Sequence, residues 1–321
     1  MTMRTRNDEG RGRLLSVLVG LAVAVAAMTA LEAVAPVFDG ARAYSYVRDI
    51  VAFGPRPAGS PALESTRHYI KKELATIGVQ VTEQAFDADT PLGRIHMVNL
   101  IALIPGTSPD RIIFAGHYDT KLYREFRFVG ANDAGSSTAF LLEWARVLKA
   151  RQSRLTMELL FLDGEEAMLP DWGNNDHTYG SRHYVQAARR AGTLATIRAM
   201  ILVDMIGDRD LRIRRESAST PWLTDTIWAA AKRVGLKDVF VDDTMLIEDD
   251  HVPFLNAGVQ AVDIIDLEYP PWHTAGDTLD QVSARSLQSV GNVLVDALPD
   301  IEKRLATGKP AGKKQAPGSR F

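Results

Sequence analysis

An apolar run that ends in two adjacent carboxylates constrains this chain more than any other stretch. Residues 155–162 are almost entirely apolar, as in a strand covered on both faces. Asp163-Gly164 is then a turn signal, and Glu165 and Glu166 follow directly. Open α/β sheets bind ligands beyond the carboxyl ends of their strands. We therefore predict that the two glutamates lie at the ligand-binding edge of a sheet, where one can bind a metal and the other can move a proton.

Strands and helices alternate along the rest of the chain. The predicted strands from residue 111 onward, which are separated by helical segments, are 111–116, 155–162, 199–203 and 261–265. This order predicts a mostly parallel sheet with helices on both faces. Two earlier apolar segments, 79–86 and 95–104, are separated by a turn around Pro91-Leu92-Gly93 and form a predicted hairpin. The fold class is therefore α/β, with a mixed sheet.

The composition indicates one domain and restricts its chemistry. No linker is apparent between residues 43 and 305, so we predict a single α/β domain of roughly 260 residues, followed by a disordered basic tail over 306–321. The net charge of -3 gives no reason to expect a nucleic-acid partner. The chain has no cysteine, which excludes disulfides and thiolate metal sites. Any metal must be held by His, Asp and Glu.

The N-terminus carries a membrane or secretion signal. Residues 14–31 contain no charge and follow four arginines, as in a signal peptide or a single membrane-spanning helix. The run is long for a signal peptide, and Pro36 directly follows the small-residue site at 33–35. We predict an uncleaved signal-anchor over 1–36, with the catalytic domain over 37–305 outside the cytoplasm. Cleavage of the segment would give a secreted protein.

Several other predicted strand ends carry His, Asp or Glu. The full set is His117, Asp119, Asp133, Glu165, Glu166, Asp204, Asp249 and His273. Each has an ordinary explanation alone: Asp133 suits a helix N-cap, and a pair of glutamates is usually a solvated turn. Their joint occurrence at strand ends predicts a zinc site with oxygen and nitrogen ligands. A glutamate left over beside three ligands would be the general acid or base.

These segments resemble the zinc aminopeptidase and glutaminyl cyclase clan, peptidase family M28. The matching segments are His117-Tyr118-Asp119, Asn132-Asp133, Asp163-Gly164-Glu165-Glu166, Asp204, Asp249-Asp250-His251 and Trp272-His273-Thr274. The resemblance covers roughly residues 43–300 and implies a three-layer α/β/α sandwich with a mixed, twisted sheet. Within this clan, the chain most resembles animal-type glutaminyl-peptide cyclotransferases. Their motifs are similar to residues 117–121, 163–167, 179–183, 249–254 and 272–274.

The resemblance also implies roles for the residues that would hold and use the metal. One zinc ion would be bound by Asp133, Glu166 and His273. Glu165 would take a proton from the α-amine of an N-terminal glutamine and return one to the leaving ammonia. The amine would attack the side-chain amide within the same molecule, which forms pyroglutamate and consumes no water. The substrates would be peptide or protein N-termini.

Further residues would complete the implied pocket. Asp204 and Asp249 would form a hydrogen-bonded acidic pair beside the proton shuttle. Trp272, with Trp172 and Tyr269, would line the space for the glutamine side chain. Among the remaining polar side chains, we expect Arg56 to be an exposed loop arginine and His177 an ordinary surface or loop residue.

Two other functions are compatible with the pattern. In a dinuclear zinc aminopeptidase of this clan, His117 and Asp204 would bind a second zinc, Asp133 would bridge the ions and Glu165 would activate water. Asp249 favours the cyclase, because those aminopeptidases tend to carry a small residue there. A non-catalytic binding ectodomain would be expected to have lost metal ligands, and none is missing.

Overall fold

The structure is a computed structural model that describes residues 37–173 and 175–307. The predicted anchor over 1–36 and most of the predicted tail lie outside the described residues. Within the two described ranges, no helix combines the length and apolar character needed to cross a membrane.

A six-stranded mixed sheet forms the centre of the domain. The strands in the described part of the chain are β1 (Val81–Thr90), β2 (Gly93–Ile104), β3 (Ser108–His117), β4 (Leu155–Leu162), β5 (Ile197–Asp204), β6 (Ile213–Glu216), β7 (Phe240–Met245) and β8 (Ala261–Ile265). The order in the main sheet is β1-β2-β4-β3-β5-β8. Strands β4, β3, β5 and β8 are parallel to one another, whereas β2 is antiparallel to both β1 and β4. The predicted hairpin and mixed sheet are thus confirmed.

Helices cover both faces of this sheet. They are α1 (Gly40–Val51), α2 (Pro61–Thr76), α3 (Gly135–Lys149), α4 (Tyr179–Arg190), α5 (Pro221–Arg233), α6 (His251–Asn256) and α7 (Ala284–Thr307). Alternation along β3 divides the core: Ile112 and Phe114 join the cluster under α1, α3 and α7, and Ile113 joins the cluster with Tyr184 of α4 and Phe254 of α6. The result is the predicted three-layer α/β/α sandwich.

The bounds of the elements differ most from the prediction where the sequence is polar. Strand β3 begins at Ser108, three residues before the predicted start at residue 111. A second, two-stranded parallel sheet, formed by β6 and β7, was not predicted. These strands are short and charged, so they lack the apolar run that marks a buried strand.

Candidate metal centre and active site

The carboxyl ends of three parallel strands bring the predicted residues together. His117 is the last residue of β3 and Asp204 the last of β5, while β4 continues into the turn 163–166. Because β3 lies between β4 and β5 and runs parallel to both, these ends share one edge of the sheet. The turn requires Gly164, which has a φ of 71° and where a Cβ would lie 2.5 Å from the Met97 sulfur.

Asp133, Glu166 and His273 form a triad with metal-site geometry. His273 Nε2 lies 3.2 Å from Glu166 Oε1 and 3.3 Å from Asp133 Oδ2, and the three ligand atoms lie within 4.8 Å of one another. A tetrahedral zinc with bonds of about 2.0–2.1 Å separates its ligand atoms by about 3.3–3.4 Å. The two measured separations therefore fit zinc, and the two-carboxylate, one-imidazole set is a catalytic zinc set.

A proton on the His273 imidazole would offset part of the negative charge of Asp133 and Glu166. Burial opposes a charged imidazole, but hydrogen bonds to Asp133 and Glu166 raise the pKa of His273 to about 10. A metal binds the neutral imidazole, so zinc would displace this proton and take over the role of neutralising the two carboxylates. The site thus favours a cation at the point where the three side chains meet.

A second triad shares Asp133 with the first. His117 Nε2 lies 3.2 Å from Asp133 Oδ1 and 3.2 Å from Asp204 Oδ1. Asp133 therefore offers one oxygen to each triad, which is the arrangement of a carboxylate that can bridge two ions. Burial lowers the pKa of His117, but Asp204, Glu165 and hydrogen bonds to Asp119 and Asp133 raise it well above its ordinary value.

Asp119 orients both glutamates through their backbone. Its Oδ1 accepts the Glu165 N–H at 3.2 Å and its Oδ2 accepts the Glu166 N–H at 3.3 Å. Its Oδ1 also lies 3.5 Å from His117 Nδ1. One buried carboxylate therefore fixes the turn that carries the two glutamates and contacts the histidine beside them, which is how supporting residues hold metal ligands in place.

Asp277 supports the other side of the metal triad and was not identified from the sequence. Its Oδ1 accepts the Asn132 N–H at 2.8 Å and its Oδ2 accepts the Asp133 N–H at 3.1 Å. The Tyr269 hydroxyl donates to the same Oδ1 at 2.8 Å. Tyr269 is therefore buried behind the metal triad and does not line the cavity, contrary to its predicted place. No sequence pattern marked Asp277, since it acts across 144 residues.

Glu165 is the titratable side chain left over beside the metal triad. It is 6% exposed and its Oε2 lies 3.7 Å from His117 Nδ1. Burial raises its pKa well above the ordinary value; His117 opposes this shift, and Glu166 and Asp249 add to it. A carboxyl whose pKa is raised toward neutrality is suited to proton transfer.

Asp204 and Asp249 lie in the same cavity wall. Burial, and then Asp204, raise the pKa of Asp249 well above its ordinary value. Asp249 Oδ2 is buried and has no hydrogen-bond partner among the described residues, while Asp204 Oδ1 accepts the Met205 N–H at 2.8 Å. The hydrogen bond expected between the two carboxyls remains a prediction. The negative charge of Asp204 does, however, contribute to the raised pKa of Asp249.

A cavity of about 390 Å³ opens over these groups. Its lining includes Glu165, Asp249, the metal triad, Trp172 and Trp272. Trp272 is 40% exposed and stacks on His273, with ring centroids 4.3 Å apart. Both tryptophans therefore line the cavity beside the metal triad.

Arg56 is fully buried behind the site, so the expectation of an exposed loop arginine is wrong. Its guanidinium donates to the carbonyls of Gly54, Val129 and Gly130 at 3.1, 2.7 and 3.1 Å. Burial lowers its pKa to about 10, against the opposing effect of Asp277, Asp133 and Asp119. It therefore stays protonated and partly offsets the negative charge of the metal site.

Replacing Arg56 by methionine is expected to lower the free energy of unfolding by about 2–4 kcal/mol. The change leaves buried carbonyls without donors, and each unsatisfied group costs roughly 1–3 kcal/mol. Urea unfolding of R56M measures this, with R124M, at an exposed position of the same region, as the matched control. Equal midpoints for the two variants would show that the buried bonds add no net stability.

This fold and this donor set define a metal-dependent α/β enzyme. The model of peptidase family M28 matches residues 99–298, and the chain belongs to this family. It is 30% identical to a mouse glutaminyl-peptide cyclotransferase-like protein over 74% of this chain and 70% of that protein.

Two solved structures extend the comparison. A glutaminyl cyclase from an Acidobacteriales bacterium is 39% identical, with a TM-score of 0.80, over 84% of this chain and 96% of that one. A leucine aminopeptidase precursor from Bacteroides thetaiotaomicron is 28% identical, with a TM-score of 0.76, over 82% of this chain and 97% of that one. Similarity thus extends to both branches of the family and is greater to the cyclase.

Proposed function

We propose that this protein is a zinc-dependent glutaminyl-peptide cyclotransferase, which converts an N-terminal glutamine into pyroglutamate and releases ammonia. The observation that carries the proposal is Asp249, a buried carboxyl with a raised pKa that lines the cavity with Glu165. The burial that raises this pKa favours the neutral carboxyl, which can donate a hydrogen bond, here to the leaving amide nitrogen. The similarity to the mouse cyclotransferase-like protein and to the Acidobacteriales glutaminyl cyclase supports the same function.

The reaction needs one proton moved and one bond exchanged. The α-amine nitrogen of the substrate forms a bond to the side-chain amide carbon, and the bond from that carbon to the amide nitrogen breaks. Glu165 takes the proton from the attacking amine and delivers it to the departing nitrogen, which leaves as ammonia. A zinc ion held by Asp133, Glu166 and His273 would supply polarisation of the amide carbonyl. Trp172 and Trp272 would bound the space for the glutamine side chain.

The second candidate function is a dinuclear zinc aminopeptidase. The triad of His117, Asp133 and Asp204, with its two 3.2 Å separations, favours this alternative, as does the similarity to a leucine aminopeptidase precursor. In the cyclase that we propose, only the triad with His273 would hold an ion, and His117 would not be a metal ligand.

We also propose a location for the protein: residues 1–36 anchor it to a membrane, and the catalytic domain, residues 37–305, acts outside the cytoplasm. The uncharged run behind an arginine cluster supports this location. Cleavage of the segment would give a secreted enzyme instead.

Product analysis with two substrates tests the function. The purified, zinc-loaded chain is given a Gln-initiated and a Leu-initiated dipeptide amide, and ammonia and free amino acid are followed separately. We expect ammonia from the first substrate, no free leucine from the second, and about one zinc per chain. Free leucine with about two zinc ions would identify the aminopeptidase instead.

A further inference from the structure

Residues 170–172 line the catalytic cavity, and hydrogen bonds hold the chain on both sides of them. At one end, the Thr178 N–H donates to the Glu165 carbonyl at 2.8 Å. At the other, the Asp176 carboxylate accepts the N–H groups of Met168 and Leu169 at 3.2 and 2.9 Å. Trp172 lies between these anchors and lines the cavity.

His177 supports Trp172 from outside the cavity. The two rings stack with centroids 4.5 Å apart and planes 20° from parallel. His177 is a loop residue, as expected, but it is only 7% exposed and so does not lie on the surface. Its own position is fixed, because its carbonyl accepts a hydrogen bond from Arg182 at 2.7 Å and its Nδ1 lies 3.1 Å from Thr178 Oγ1.

His177 also makes a weak contact with Glu248. His177 Nε2 lies 3.7 Å from Glu248 Oε1, and the Glu248 side chain is 62% exposed. Because the Glu248 carboxylate is exposed, its attraction to His177 at this separation is largely screened by solvent. The ring stack, rather than this charge contact, is therefore the interaction that fixes the indole.

We propose that His177 is a positioning residue that holds the Trp172 indole against the mouth of the cavity and so sets substrate affinity without taking part in the reaction. This inference rests on the proposed function. Its consequence is a specific kinetic pattern: loss of the stack weakens substrate binding, while the proton shuttle and metal triad keep their rate. An aromatic ring without ring nitrogens preserves the stack.

Three variants of the full-length chain test the proposal. We expect H177A to raise KM for a Gln-initiated peptide by about 3- to 10-fold, the loss of one aromatic contact, with kcat within about twofold of the wild type. H177F is expected to restore KM, because its ring keeps the stack on Trp172. The matched control is H183A, because His183 stacks on Phe86, with centroids 4.1 Å apart, away from the cavity.

Several outcomes would overturn the proposal. They are an unchanged KM in H177A, an equal effect in H183A, failure of H177F to restore KM, or a fall of kcat in parallel with a lowered Tm. A second readout does not need catalysis: acrylamide quenching of Trp172, obtained by difference from W172F, should rise in H177A and not in H177F. If the wild type cyclises no peptide, the proposed function fails, and this quenching comparison alone decides whether His177 positions Trp172.

Discussion

Glu165→Gln is expected to lower kcat by about 10²–10⁴-fold, the usual contribution of one general acid–base group. The substitution keeps the size and planar shape of the side chain. It removes the carboxylate that accepts the proton of the attacking amine. Because Glu165 lies beside the metal triad without belonging to it, zinc content should remain at the wild-type value. KM should change little, since the group acts in the transition state.

The test compares steady-state rates with the metal content of the same samples. Glu73→Gln, on a half-buried residue of α2 outside the cavity, makes the same chemical change and serves as the control. A Glu165→Gln enzyme that keeps its wild-type kcat would place proton transfer on another group. Loss of zinc together with activity would make Glu165 a ligand rather than the shuttle.

His273→Asn is expected to abolish stoichiometric zinc binding and to lower kcat/KM by at least about 10³-fold, because Lewis-acid polarisation contributes several kcal/mol. Asparagine is preferred to alanine here. The backbone of His273 is left-handed, with a φ of 55°, and asparagine tolerates this conformation. The variant therefore removes the imidazole without adding backbone strain.

Metal analysis and activity after zinc reconstitution provide the measurement. His96→Asn is the matched control, since His96 is exposed on β2 and contacts Asp87 away from the site. One bound zinc and full activity in His273→Asn would remove this residue from the metal site. The companion variant His117→Asn should keep one zinc if the first triad alone is occupied, and should lose an ion if both are.

The strands that the sequence predicted best are those whose residues are mostly apolar. The bounds of β4 and β8 match the predicted 155–162 and 261–265, because each run is buried on both faces and is bounded by polar or turn residues. By contrast, β6 and β7 are separated along the chain by α5 and together carry mostly charged or polar side chains. Their pairing depends on tertiary contacts, which local pattern does not contain.

The active site likewise contains residues whose places the sequence predicts and residues whose places it does not. His117, Glu165, Glu166 and Asp204 were predictable as a group, because parallel strand ends meet at one edge of the sheet. The places of Arg56, Tyr269 and Asp277 were not, since each is set by bonds to backbone groups or side chains that come from other parts of the chain. A buried polar residue is recognised by its partners, and a single sequence does not reveal them.

The most direct test of the account is the mass of the product formed from a Gln-initiated peptide in water enriched with heavy oxygen. An intramolecular cyclisation predicts a peptide that is lighter by one ammonia and carries no heavy oxygen, because water takes no part in the bond exchange. Free glutamine with heavy oxygen in its carboxylate, beside a peptide shortened by one residue, would contradict the cyclase and assign the site to hydrolysis.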